Sequence, residues 1–522
     1  MSTAPRIWFD VEDLFHFADR NARPTGIQRV CYEIFLAALA DPAVAPRIGF
    51  VRHSGTERGF IEADWELLDY KLRHVTDRPS EMPQLRSETG DEAVPAMLEA
   101  PGQDAGAAPH DQAGPRRRPL PLRLLRRAGA MVPRRIARPG FLFAVMQVQA
   151  GAALTGAVGL TIADRARRGA RQGAIRLRRL PIVARLVAER APEDPPPPPP
   201  PLPPRRLAEI ADRGDVLAVL GSPWFEVDYA ELVSHVRGRL GLRVAVLMHD
   251  VIPVRRPEWV DRGTVRVFRD WYRTVLPLAD YVFANSQATA DDVERWCARD
   301  AIRLPGPVAP VPIGTGFGQK QRVATELPDR LPAVLLKVLD GRPYVLFVST
   351  IEARKNHMLL FRVWRRLLSE MGPQNVPDLV FAGKVGWMVG DLMSQIENSR
   401  NLDGRLHVIE GLDDRALRAV YGGCLFTVFP SFYEGWGLPV SESMAMGRPC
   451  VCSNATALPE AGGSLARYFD PFDVEDATRV IRATIEDRPG LAAWQDEVVR
   501  TFRPVGWDRA ARAMVAAFDR PD

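Results

Sequence analysis

Short apolar runs separated by helix-length stretches recur along this chain in two blocks. The first block holds RIWFDV (6–11), a run near 48–52, DVLAVLG (215–221), RVAVLMHD (243–250) and YVFANS (281–286). The second holds YVLFVST (344–350), DLVFAGK (378–384), LHVIEG (406–411), CLFTVFP (424–430) and PCVCS (449–453). Strands alternating with helices predict parallel sheets covered by helices, one sheet per block. At 522 residues the chain exceeds a single core, so two α/β domains are expected. The predicted division is 1–79 and 211–325 for the two parts of an N-terminal Rossmann-like domain and 80–210 for an insertion. A C-terminal Rossmann-like domain follows at 326–505, and a helix at 506–522. A loop follows the first strand, a helix is predicted from about Ile27 to Leu39, and Pro305 to Gly318 is expected to join the domains.

The insertion is polar from about 80 to 115, then arginine-rich, and closes on EDPPPPPPPLPPRR (193–206), a polyproline II spacer. Residues 116–190 carry 18 arginines, no lysine and two acids, a charge of +16 within a chain of +5, so the remainder carries −11. The basicity belongs to one segment, which argues against nucleic-acid binding by the whole chain, as does the lack of aromatics among its arginines. Within it, 141–163 are uncharged and long enough to span a bilayer. A span would put the two parts of one domain on opposite sides, so an interfacial or buried helical hairpin is expected, with contact to an anionic membrane surface preferred over packing on the protein itself.

The acidic N-terminus predicts a chain that is not exported. Five cysteines without C-x-x-C pairing predict reduced thiols in a cytoplasmic setting. Scattered histidines and the absence of D-x-D predict no protein-held metal.

Two stretches carry candidate chemistry. In SFYEGWGLPVSESMAMGRPCVCS (431–453), Glu434 falls in a strand-to-helix loop and Glu442 near the start of the helix that Pro439 opens. Both are expected at the carboxyl end of a parallel sheet, where α/β proteins bind ligands. Taken alone, the pair is equally compatible with a dipole-complementing Glu442 and a solvated Glu434. In VSTIEARKNHMLLFRVWRRLL (348–368), Asn356 is expected to cap a helix over 358–368, placing Arg354 and Lys355 at its N-terminus. Two cations at a helix N-terminus make an anion site, and phosphate is its usual occupant. With two carboxylates nearby, a nucleotide diphosphate is the predicted ligand. IGTGFG (313–318) is not a dinucleotide fingerprint, because its third glycine comes one residue early.

STIEARKNH, LVFAGKVGW and FPSFYEGWGLPVSESMAMGRPCVCSNATALPE together resemble glycosyltransferase family 4, retaining enzymes of the GT-B fold; the likeness runs through nearly all of 340–518. RPTGIQRV (23–30), MHDVIP (248–253), ANSQATADDV (284–293) and VPIGTG (311–316) are similar more loosely. The resemblance implies two Rossmann-like domains facing each other across a cleft. It implies that Arg354 and Lys355 bind the diphosphate, that Glu442 holds the ribose, and that Glu434 with the amides of Gly435, Trp436, Gly437 and Leu438 contacts the donor sugar. Gly26 would let backbone approach the reaction centre, His249 would touch the sugar or pass a proton, and Gly383 and Lys384 would line the nucleotide cleft. Ala353 stands where the family commonly has proline. The implied reaction moves a hexose from a nucleotide-sugar to a glycan or lipid-linked acceptor, with retention and no cofactor, in cell-surface polysaccharide synthesis. A nucleotide-sugar epimerase of the same fold and a non-catalytic membrane-associated assembly protein are the alternatives.

Overall fold

The structure is a computed structural model that describes residues 4–20, 26–54, 59–77, 205–224, 228–316, 338 and 341–520. The basic segment 116–190, the uncharged stretch 141–163 and all but the last two residues of the proline-rich spacer lie outside the described residues.

The first sheet runs β3-β2-β1-β4-β5-β6-β7, built from β1 Ile7–Asp10, β2 Ile48–His53, β3 Phe60–Glu62, β4 Val216–Val219, β5 Arg243–Met248, β6 Tyr281–Ala284 and β7 Ala309–Pro310. All its pairings are parallel except β2 with β3. The second sheet runs β10-β9-β8-β11-β12-β13 and is parallel throughout, from β8 Tyr344–Val348, β9 Asp378–Ala382, β10 Leu406–Ile409, β11 Thr427–Phe429, β12 Cys450–Ser453 and β13 Arg467–Phe469. The central strands are apolar and fully buried because helices cover both faces. All five cysteines are buried and unpaired.

Three features depart from expectation. A helix, Glu12–Arg20, replaces the loop after β1; Glu12 and Asp13 favour its first turn, and the Asp10 carboxylate accepts from the Glu12 amide (3.0 Å). The N-terminal sheet gains an antiparallel edge at β3, where Arg205 re-enters and pairs with Glu62 (2.7 Å). The helix after β8 runs His357–Met371, and Asn356 does not cap it through its side chain.

The last helix, Trp507–Phe518, leaves the C-terminal domain and packs on the N-terminal one beside Gly26–Ala40. Trp507, Met514 and Phe518 enter that core, and Phe518 meets Tyr281 and Phe283 edge-on. Burying each such side chain contributes about 1.5–3 kcal/mol. The chain therefore crosses between domains twice, and the crossings are tied by Thr315 N–H to Val505 O (2.9 Å) and Val505 N–H to Thr315 Oγ1 (3.1 Å).

Candidate active site

Strands β8 and β11 are neighbours, so the loops at their carboxyl ends meet. After β8 the chain tightens into a short 3-10 turn, Ala353–Lys355, and Asn356 adopts a left-handed conformation (φ 61°). The Asn356 Nδ2 donates to Pro430 O (3.1 Å) and Pro471 O (3.0 Å), pinning this loop to those after β11 and β13. That anchoring is what the asparagine does in place of capping.

The turn aims both cations at Glu434. Arg354 Nη1 lies 2.9 Å from Glu434 Oε2 and donates to Tyr433 O (2.6 Å), while Nη2 bonds Glu352 (2.7 Å). Lys355 Nζ lies 2.7 Å from Glu434 Oε1 and 5.2 Å from the centre of the Phe429 ring. Burial pushes the Glu434 carboxyl up, but Arg354 and Lys355 outweigh it and hold it at about 2. Burial and the Arg354 charge lower the Lys355 ammonium despite Glu434. Removing one partner of so buried a set costs about 3–5 kcal/mol.

Glu442 has different partners. It lies in the helix Leu438–Ala445, which starts after Gly437 at φ 107°. Its oxygens take Arg29 Nη1 from the N-terminal domain (3.2 Å) and Tyr421 OH (3.2 Å). Arg29 Nη2 also donates to Gly316 O, closing the network on the interdomain crossing. Burial pushes the Glu442 carboxyl up, with Arg29 opposing it.

The domains touch closely at Gly435. A Cβ there would sit 1.9 Å from His249 O, and the Gly435 carbonyl accepts from Ser286 Oγ (2.7 Å) and Thr289 Oγ1 (3.2 Å). Glu460 of the C-terminal domain accepts from the amides of Gln287 (2.8 Å) and Ala288 (2.7 Å), at the N-terminus of the helix Gln287–Arg299. Trp436 and Leu438 pack against the N-terminal core.

The other expected residues fall as follows. His249 is buried; its Nε2 donates to Leu220 O (2.7 Å), and burial lowers the ring to about 4. Gly26 begins its helix, and a Cβ there would meet nothing within 4 Å among the described residues. Gly383 is required by packing, since a Cβ would lie 1.9 Å from Ser349 O, and Lys384 is exposed. Among the described residues no cluster of His, Cys, Asp and Glu could hold a metal ion, and no helix is long and apolar enough to cross a membrane.

Residues 336–498 match the family described as glycosyl transferases group 1. The match falls within the C-terminal domain. The chain is 28% identical over 258 residues to the serotype-specific mannosyltransferase WbdA of Escherichia coli, covering 48% of this chain and 31% of the relative. It is 27% identical over 274 residues to the O-antigen chain mannosyltransferase B of Escherichia coli, covering 51% of this chain and 68% of the relative. The chain spans about a third of the length of the first of these relatives. Among solved structures, Anabaena Alr3699/HepE in complex with UDP and glucose is similar at 17% identity and a TM-score of 0.40, over 58% of this chain and 73% of that one.

The C-terminal domain borrows groups from the N-terminal domain that its motifs do not announce. Arg29 lies in RPTGIQRV, where only Gly26 stood out, and Asp250 follows His249 in MHDVIP. The Asp250 carboxylate accepts from the Ile252 amide (2.9 Å); burial raises it, and the charge of Arg354 opposes that rise. Glu352, which steers Arg354, was hidden in plain view two residues before it.

Proposed function

We propose that the protein is a retaining, metal-independent glycosyltransferase that moves a sugar from a nucleotide-sugar to a glycan or lipid-linked acceptor in polysaccharide synthesis. The observation that carries this reading is the convergence of Arg354 and Lys355 on the two oxygens of one carboxylate. A place where two buried cations meet two anionic oxygens at a helix N-terminus is also a place for a diphosphate. The family match of this domain and the mannosyltransferase relatives support the same reading and favour a mannosyl donor.

The donor diphosphate takes Arg354 and Lys355 in place of Glu434, and the released Glu434 accepts hydrogen bonds from the sugar hydroxyls. Glu442 accepts from the ribose. As the bond from the anomeric carbon to phosphate oxygen breaks, both electrons go to that oxygen, and Arg354 and Lys355 stabilise the developing charge. The acceptor hydroxyl attacks from the same face and its proton passes to the departing phosphate, which retains configuration. Fixed cations do here what a metal ion does elsewhere. The reaction is cytoplasmic, and the +16 charge of 116–190 favours a peripheral place at an anionic membrane face.

The test is nucleotide release from UDP-, GDP-, dTDP- and ADP-sugars, with EDTA present, with and without mannooligosaccharide or bacterial lipid extract. Release from one donor, stimulated by acceptor and lost in Glu442→Gln, is the expected result. The anomeric configuration of the product, read by NMR, checks retention. No release from any donor overturns the reading.

A further inference from the structure

Trp387 (52% exposed), Met388 (59%) and Phe472 (63%) are among the few large hydrophobic side chains that the described residues leave open to solvent. They belong to one surface. Trp387 Nε1 donates to Trp259 O (3.1 Å), Trp259 stacks on Phe432 (ring centres 5.4 Å apart, planes at 10°), and Phe432 lies against Phe472 (4.9 Å, 30°). Exposure of this kind costs solvation unless something covers it.

Three observations say what covers it. The aromatic side chains come from loops at the carboxyl ends of β5, β9, β11 and β13, so the surface is continuous with the candidate active site. Phe432 stands two residues before Glu434, and its amide donates to Arg354 O (3.0 Å). Trp259 belongs to the N-terminal domain and the others to the C-terminal domain, so a ligand lying here touches both, as an acceptor reaching a donor must. The surroundings are polar: the Arg256 guanidinium lies 5.4 Å from the Trp259 ring, Glu258 is its neighbour, and Asp250 sits on the same loop. Flat aromatic faces beside carboxylates and a guanidinium suit a pyranose, which offers C–H faces to the rings and hydroxyls to the charges. A lipid chain would meet those charges unfavourably.

We propose that this aromatic surface is the acceptor subsite and that a pyranose ring of a glycan lies on it. The proposal rests on the glycosyltransferase reading for its role, and on the surface alone for its binding.

The test titrates the full chain with α-linked mannotriose and follows tryptophan emission, which needs no turnover. Binding to the parent is expected, weakened about ten-fold in Trp387→Ala and Phe472→Ala, the size of one lost aromatic contact, and largely restored in Trp387→Phe. With the donor found active above, the acceptor KM is expected to rise more than the donor KM. Unchanged mannotriose affinity in both alanine variants overturns the proposal while leaving sugar transfer intact. A rise confined to the donor KM overturns it in favour of a nucleobase on the rings. Loss of sedimentation with anionic vesicles, with glycan binding unaltered, overturns it in favour of lipid. Mannotriose binding that depends on Trp387, in a protein that turns over no donor, upholds the subsite and sinks only the transferase reading.

Discussion

Arg29 and Glu442 form an ion pair of 3.2 Å between the two domains, although 413 residues separate them in the chain. Burial already raises the Glu442 carboxyl, and Arg29 is the first group that pulls it back down. Removing the cation therefore moves the Glu442 titration further upward. If the carboxylate form accepts from the donor ribose, Arg29→Ala raises the donor KM most steeply at low pH and shifts the profile toward higher pH. Donor KM measured from pH 5 to 9 checks this. Parallel profiles in parent and variant would show that Arg29 does not set the charge on Glu442.

Arg354 and Lys355 share Glu434 but are not equivalent. Arg354 holds three partners, Glu434, Glu352 and the Tyr433 carbonyl, and so is fixed before any ligand arrives. A preorganised cation acts chiefly where charge develops. Arg354→Ala is expected to lower kcat by about 100- to 1,000-fold with a smaller change in donor KM. Lysine at 354 restores only part, because a point charge cannot reproduce a fork whose two nitrogens reach Glu434 and Glu352 separately. A rise in KM with kcat intact would make Arg354 a ground-state binding group only.

The meeting of Arg354, Lys355 and Glu434 was legible because it is local to one sheet. Buried parallel strands announce themselves as apolar runs, and the loops after two adjacent strands must meet. β3 and β13 escaped notice because three-residue edge strands leave no run to see. The Arg29–Glu442 pair was not legible, since it depends on how one domain sits on the other. The aromatic surface was hidden for the same reason: Trp259, Trp387, Phe432 and Phe472 stand on four loops, and nothing local links them. Asn356 illustrates the opposite error. Its position before a helix fits a cap, but two carbonyls from other loops compete for its side chain and win.

Asp13 supplies a pH prediction of stability. Burial is the main cause of its carboxyl rising to about 6, against the opposing amide hydrogen bond from Ser222 (2.9 Å). A carboxyl with a raised folded pKa favours the protonated form in the fold. Its contribution is fully present below the unfolded value of 3.8 and is lost as pH rises through 6. The loss approaches about 3 kcal/mol, taking some 1.4 kcal/mol per pH unit. Asp13→Asn keeps an oxygen for the Ser222 amide and removes the buried charge. Its Tm should exceed the parent's at pH 7.5 and match it near pH 4, by scanning fluorimetry. A difference independent of pH would mean that Asp13 is not charged in the folded protein at neutral pH.

Gly435 links the closeness of the domains to turnover. Any side chain there meets the His249 carbonyl at 1.9 Å, and that is backbone, which cannot swing away. The Gly435 carbonyl is also the acceptor for Ser286 and Thr289, so a forced separation breaks both bonds. The C-terminal core does not use this contact, so Gly435→Ala should fold and keep its near-ultraviolet circular dichroism. Two hydrogen bonds at about 1 kcal/mol each are lost from the closed arrangement, enough to open the domains in a large share of molecules. The expected result is a larger radius of gyration by X-ray scattering and a kcat reduced at least ten-fold, since Arg29 no longer reaches Glu442 and Trp259 no longer meets Phe432. Serine at 435 should behave as alanine does, because the clash is at Cβ. An unchanged radius with unchanged kcat would show that the approach of His249 to Gly435 is not needed for the reaction.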